Sequence, residues 1–185
     1  MIYSSALSAV VSALAAECID NTSKQAWQKL IDQETVGVGS GASGSDRMQA
    51  DCWVFARLHS QLIPRHWFAL VARYSTHKSR KVEAIGRLAP LVASPAKALF
   101  VYKAVTAWAV PPLKGLQDAK RSTDLIVLPS AFYDMNTWDP DSRPESTRRE
   151  WRRKIQGVLD EMTKEALVAA EAILVEEGVL RSCAA

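Results

Sequence analysis

The strongest constraint on the fold is a long amphipathic stretch near the C-terminus. Apolar residues recur there at steps of three or four, which is the period of an α-helix. The residues of this stripe are Trp151, Ile155, Val158, Met162, Ala166, Ala169 and Ile173, and Leu159, Leu167 and Leu174 widen it. Thr147 and Glu150 have the spacing of a capping box and Gly178 suits a helix end, so we expect a helix from Arg148 to about Glu177. Because such a helix is about 45 Å long, we expect it to cross the whole domain or to pair with a second copy through this stripe.

Helical periodicity also dominates the rest of the chain, so we predict the mainly α class with six or seven helices. The chain is 48% hydrophobic and 23% charged, values close to an average soluble protein, which argues against disorder. We expect no membrane span, and we expect the apolar start up to Ala16 to be a helix rather than a signal peptide, since no Lys or Arg precedes it. Three widely spaced cysteines without a CxxC pair favour a reducing, cytoplasmic location over a disulfide scaffold.

We divide the chain into four segments: an N-terminal helical pair (1–35), a Gly/Ser-rich loop (36–45), a helical core with a candidate helix-turn-helix (46–128), and an acidic loop followed by the long C-terminal helix (129–185). The second helix of the pair should begin at Asn21 or Thr22. The Gly/Ser-rich loop is followed by Asp46 and Arg47 instead of the Lys and Ser or Thr of a nucleotide-binding loop, so we interpret it as a linker. Residues 124–128 are the one strand candidate.

The apolar faces of the early helices follow from the same periodicity. The first helix should bury Leu7, Val10, Val11 and Leu14. A helix from about Asp46 to Leu62 should turn inward Met48, Cys52, Phe55 and Leu58 or His59. Pro64 suits the first turn of the next helix, which should end at Tyr74.

A basic connection and two short helices follow Tyr74. Residues 75–81 (STHKSRK) are polar and basic, so we expect an exposed connection at which a phosphate can bind. A short helix over 82–89, a turn, and a second helix opened by Ser94 and Pro95 and reaching Val110 have the outline of a helix-turn-helix.

No sequence motif points to catalysis or to a metal. Cys52, His59 and His66 recur every seven residues, but two helical turns separate neighbours by about 10 Å, too far for one ion. We interpret the acidic residues between 134 and 141 as a solvated loop. The chain has no GxSxG or HExxH motif, so we expect no enzyme, no cofactor and no metal site.

Basic residues form two clusters. Residues 65–87 hold six basic side chains and one acidic one, a composition that favours phosphate binding. The expected nucleic-acid-binding residues are Arg73, Lys78, Arg80, Lys81, Arg87, Lys97 and Lys103. The second cluster would oppose the dipole at the start of the long helix, so we expect it to serve a partner or acidic side chains elsewhere in the chain. The expected partner-binding residues are Arg148, Arg149, Arg152 and Arg153.

These clusters leave three hypotheses open. The leading one is a non-enzymatic DNA-binding transcription regulator. The alternative is a basic protein-binding adaptor or inhibitor of a host nucleic-acid machine, because residues 94–110 hold no Arg, Asn or Gln that could pair with a base edge. The third is an enzyme of unrecognised class that uses His59, His66 or His77 with the acidic loop.

A family resemblance covers about a third of the chain. Ala56-Arg57-Leu58, Ala72-Arg73-Tyr74 and a two-helix unit whose second helix opens at Ser94 lie in this order. This order resembles the DNA-binding part of lambdoid phage Q-type late antiterminators. The resemblance implies a phage-encoded regulator that contacts promoter-proximal DNA and RNA polymerase through a sigma-region-4-like helix-turn-helix. The chain departs from the family at Leu99 and Phe100, where the family carries polar readers, and in its long C-terminal helix.

Overall fold

The computed structural model describes residues 3–16, 44–112 and 126–180. These residues are mainly helical and contain no strand, which confirms the predicted fold class. The helices are α1 (Ala6–Ala16), α2 (Gly44–Gln61), α3 (Pro64–Tyr74), α4 (Lys78–Leu88), α5 (Ala98–Ala109) and α6 (Glu145–Glu176), joined in places by 3-10 turns at Ala89–Leu91, Ser130–Tyr133 and Met135–Thr137. The predicted helix after Asn21 and most of the Gly/Ser-rich loop lie outside the described residues, and 126–128 of the strand candidate are irregular.

The chain divides into two compact units, which cut across the predicted segments. The first comprises residues 1–62 and 167–185, and the second comprises residues 63–166. In the first unit α1 packs on α2. The buried face of α1 consists of Ala6, Ala9, Val10, Ala13 and Leu14. The predicted stripe was therefore wrong at Leu7 and Val11, which are exposed, because alanines let two helices approach more closely than large side chains do.

The buried face of α2 also differs from the predicted one. Leu58 is buried as predicted, but Cys52 is exposed, and Val54 and Asp51, which were not predicted, are buried. Tyr3 donates a hydrogen bond from Oη to Asp51 Oδ1 at 2.7 Å, which compensates the burial of the carboxyl group. This polar pair fixes the rotation of α2 and turns Cys52 outward.

The second unit is built around α3, α4 and α5, which pack against one another. Phe100 on α5 is fully buried and contacts Trp138 and Trp151 edge-to-face, with ring centroids 5.5 and 5.6 Å apart. Pro64 opens α3 and Tyr74 ends it, as predicted. The aromatic contacts connect α5 to the start of α6 and to the segment before it.

The long helix α6 begins at Glu145, so Thr147 and Glu150 lie inside it and the predicted capping box was wrong. Its end was predicted correctly: Gly178 has a φ of 71°, and the Val179 amide donates to the Leu174 carbonyl at 2.9 Å. The buried apolar residues are Trp151, Ile155, Leu159, Met162, Ala166, Ala170 and Leu174. Neighbouring members of this set are three or four positions apart, as expected of one face of an α-helix. Of the predicted stripe, Val158 is exposed and Ala169 and Ile173 are partly exposed, and pairing with a second copy stays a prediction.

Candidate anion-binding surface

The predicted exposed connection after Tyr74 is a tightly bonded corner between α3 and α4. Ser75 is buried, and its Oγ accepts a hydrogen bond from the His77 amide at 3.1 Å. His77 is the N-cap of α4, and its Nδ1 accepts from the Arg80 amide at 3.5 Å and lies 2.9 Å from Ser79 Oγ. Four of the seven residues 75–81 are exposed as predicted, but Ser75 and Lys81 are buried, and the connection is shorter than predicted because α4 begins at Lys78.

Lys81 closes this corner from the first turn of α4. Its side chain is buried, with 9% of the residue exposed, and Nζ donates to the carbonyls of Arg73 and Ser75 at 3.2 Å each. Two orphan carbonyls at the end of α3 thereby gain a donor. Burial, together with the Arg73 charge, lowers the pKa of Lys81 to about 8. Lys81 therefore holds the fold and presents no surface charge.

The Arg73 side chain also makes contacts inside the second unit, with Trp108. Its Nη1 donates to the Trp108 carbonyl at 2.6 Å, and its guanidinium carbon lies 5.2 Å from the centroid of the Trp108 ring. The Trp108 indole in turn donates to Asp160 Oδ1 at 2.8 Å. Sequence reasoning missed Trp108 and Asp160, and the one indication of such a bond is that a buried indole N–H needs an acceptor.

The outward side of α4 carries the exposed charges of this region. Lys78, Arg80 and Arg87 are all exposed, and Arg87 makes a loose pair with Glu83 at 3.9 Å. Ser79 and Gly86 lie between the basic residues, opposite the buried face of α4. A Cβ added at Gly86 would have no atom within 4 Å. We call Lys78, Arg80 and Arg87, with the small residues between them, the α4 surface.

Helix α5 is mostly a core helix. Seven of its twelve residues are buried, and Leu99 and Tyr102 are exposed at 48% and 42%. The helix starts at Ala98, so the predicted opening at Ser94 was wrong: the Ser94 hydroxyl accepts from the Ala96 amide in the preceding turn. Helix, turn and helix follow one another in the predicted order, and the role of α5 as a recognition helix stays a prediction.

The two predicted DNA contacts near α5 are both engaged within the second unit. Lys97 forms an ion pair with Asp141 at 2.5 Å. Lys103 donates to the Thr137 carbonyl at 2.8 Å. These contacts fasten the segment before α6 onto one side of α5.

Most of the arginines at the start of α6 also make contacts within the chain. Arg148 is buried and donates to the Met135 carbonyl at 3.2 Å, and Arg152 lies 5.5 Å from the centroid of the Trp138 ring. Arg149 pairs with Glu145 at 2.5 Å, the favourable i,i+4 order with the acid first. Arg153 is exposed. Of the four arginines, Arg149 pairs with an acidic side chain, and that side chain belongs to α6 itself.

Within the described ranges, no helix has the length and apolar character that crossing a bilayer requires. The same residues contain no cluster of three or more His, Cys, Asp or Glu side chains suited to a metal ion. No protein-family model matches the chain, and neither the curated proteins nor the solved structures yield a match.

Proposed function

We propose that the protein is a non-enzymatic DNA-binding regulator that holds the phosphate backbone with the α4 surface. The observation that carries the proposal is the charge of residues 63–112, which hold eight basic side chains and one acidic one, three of the basic ones exposed on α4. Several ammonium and guanidinium groups on one helix face gain affinity for a polyanion through counterion release. Contacts of this kind carry no sequence information.

The small residues of the α4 surface support close approach to a backbone. Gly86 lies in the interior of an exposed helix, where glycine costs about 1 kcal/mol relative to alanine. Ser79 lies two turns before it on the same side. Val82 and Glu83 are exposed on the same side, and Lys78 and Arg80 flank this face, so they can reach phosphates on either side of the helix axis.

The test is fluorescence anisotropy of a labelled random duplex titrated at several salt concentrations. We expect binding in the micromolar range or weaker, falling steeply with salt. Substituting Arg80→Gln and Arg87→Gln together should weaken binding about tenfold and reduce the salt slope by about 2. The matched control is Lys154→Gln with Lys164→Gln, which removes two exposed charges from α6. No binding by the wild type, or equal losses in the two double variants, would contradict the proposal.

The transcriptional part of the proposal rests on the resemblance to Q-type antiterminators. It predicts binding to RNA polymerase through exposed charges at the start of α6, such as Arg149 and Arg153. Co-purification of polymerase with the wild type and with Arg149→Glu/Arg153→Glu tests it. Equal recovery of polymerase with both proteins would show that Arg149 and Arg153 do not bind it.

A second candidate function, a protein-binding adaptor, is favoured by the outward face of α5. Leu99 and Tyr102 are one turn apart and about half exposed, in a strongly basic segment. An acidic partner with apolar anchors would suit such a face. Affinity capture from the native host with the wild type and with Leu99→Ser/Tyr102→Ser tests it, since only a partner that docks on α5 is lost from the variant.

A further inference from the structure

We propose that Lys81 is a positioning residue for the α4 surface and contacts no phosphate itself. This inference rests on the proposed function and specifies how the same surface is held. Lys81 lies in the same helical turn as Lys78 and Arg80, yet its residue is 9% exposed and its ammonium donates to two backbone carbonyls.

The corner around Lys81 determines where the first turn of α4 lies. Lys81 ties α4 to the Arg73 carbonyl in the last turn of α3 and to the Ser75 carbonyl just after it. His77 ties the Arg80 amide to the same corner, and Ser75 holds the His77 amide. Lys78 and Arg80 therefore lie in a helical turn that hydrogen bonds hold at both ends.

Arg73 anchors the corner to the rest of the second unit. Its side chain bonds to the Trp108 carbonyl and lies over the Trp108 ring, while its own carbonyl accepts from Lys81. A surface fixed in this way loses less conformational entropy when a rigid ligand binds. Loss of the Lys81 contacts should weaken binding without removing any phosphate contact.

The salt slope separates positioning from direct contact, because the slope follows the number of phosphates neutralised. We expect Lys81→Met to weaken binding of the random duplex about three- to tenfold and to leave the slope unchanged. Lys78→Met, the matched control, removes the same side chain from the exposed face and should reduce the slope by about 0.9. A slope that falls equally in both variants would overturn the proposal and make Lys81 a phosphate ligand.

A second variant and a readout without DNA complete the test. His77→Ala removes the Arg80 amide acceptor without removing a lysine or arginine, and we expect it to weaken binding at constant slope as well. In both Lys81→Met and His77→Ala, amide hydrogen exchange at residues 78–81 should be faster than in the wild type. Unchanged exchange and unchanged affinity in both variants would refute the positioning role. Faster exchange in a protein that binds no duplex at all would instead refute the DNA-binding function.

Discussion

The buried ammonium of Lys81 makes the stability of the protein depend on pH in a calculable way. Burial and the neighbouring Arg73 lower the pKa of Lys81 from 10.5 to about 8. Between these two values the unfolded chain keeps the proton that the folded chain has lost. Unfolding therefore takes up a proton, and the free energy of unfolding rises with pH across this window.

The size of the effect follows from the shift. At 1.36 kcal/mol per unit, the whole window from pH 8 to 10.5 corresponds to about 3 kcal/mol. Between pH 7.5 and 9.5 we expect a gain of about 2 kcal/mol. Above pH 10 the raised pKa of Tyr3, caused by burial and its bond to Asp51, acts in the opposite direction, because the unfolded tyrosine then ionises while the folded one does not.

Urea denaturation of the wild type and of Lys81→Met at pH 7.5 and 9.5 measures this contribution. Other titrating groups affect both proteins equally, so the difference between their free energies of unfolding isolates Lys81. We expect this difference to move by about 2 kcal/mol in favour of the wild type as the pH rises. An equal pH dependence in the two proteins would show that the pKa of Lys81 is not lowered by burial at this corner.

Three further predictions concern stability and are checked by urea denaturation. Gly157→Ala should stabilise by about 1 kcal/mol, since Gly157 is exposed within α6 with no atom within 4 Å of an added Cβ; a loss of stability would contradict this. Tyr3→Phe should destabilise by about 2 kcal/mol because the buried Asp51 carboxyl loses its donor, and an unchanged midpoint would show that the pair contributes nothing. Trp108→Phe keeps an aromatic ring but loses the bond to Asp160 and leaves a cavity, for a cost of about 2 kcal/mol; equal stability would mean that the core closes around the smaller ring and the bond contributes nothing.

Local sequence patterns predicted where the helices begin and end better than which face of each helix is buried. Gly178 ends α6 as expected, because a left-handed residue after a helix is a local requirement that glycine meets. The rotation of α2 depends on Asp51 and Tyr3, which are 48 positions apart, so no local window contains it. On α6 the predicted stripe was right at Ile155 and at the flanking Leu159, which are buried, and wrong at Val158, which is 42% exposed.

The basic residues were identified as a cluster, but their separate roles were not predictable. A lysine in a polar segment is expected at the surface, yet Lys81 is buried because the end of α3 offers two carbonyls that need a donor. His77 was missed as a helix cap because histidine is not among the preferred N-cap residues. The placement of both residues depends on the angle between α3 and α4, which composition does not encode.

The number of basic residues exposed on α4 gives a quantitative expectation for DNA binding. Seven lysines and arginines were predicted to contact nucleic acid, but Arg73, Lys81, Lys97 and Lys103 are bonded to the protein's own carbonyl or carboxylate groups. Lys78, Arg80 and Arg87 are exposed on α4, and at 0.9 per phosphate three contacts give a salt slope of about −3 on duplex DNA. All seven would give about −6. A measured slope near −4.5 would mean that DNA displaces the internal partners of Lys97 and Lys103 as well, and the second unit would then have to rearrange around α5 on binding.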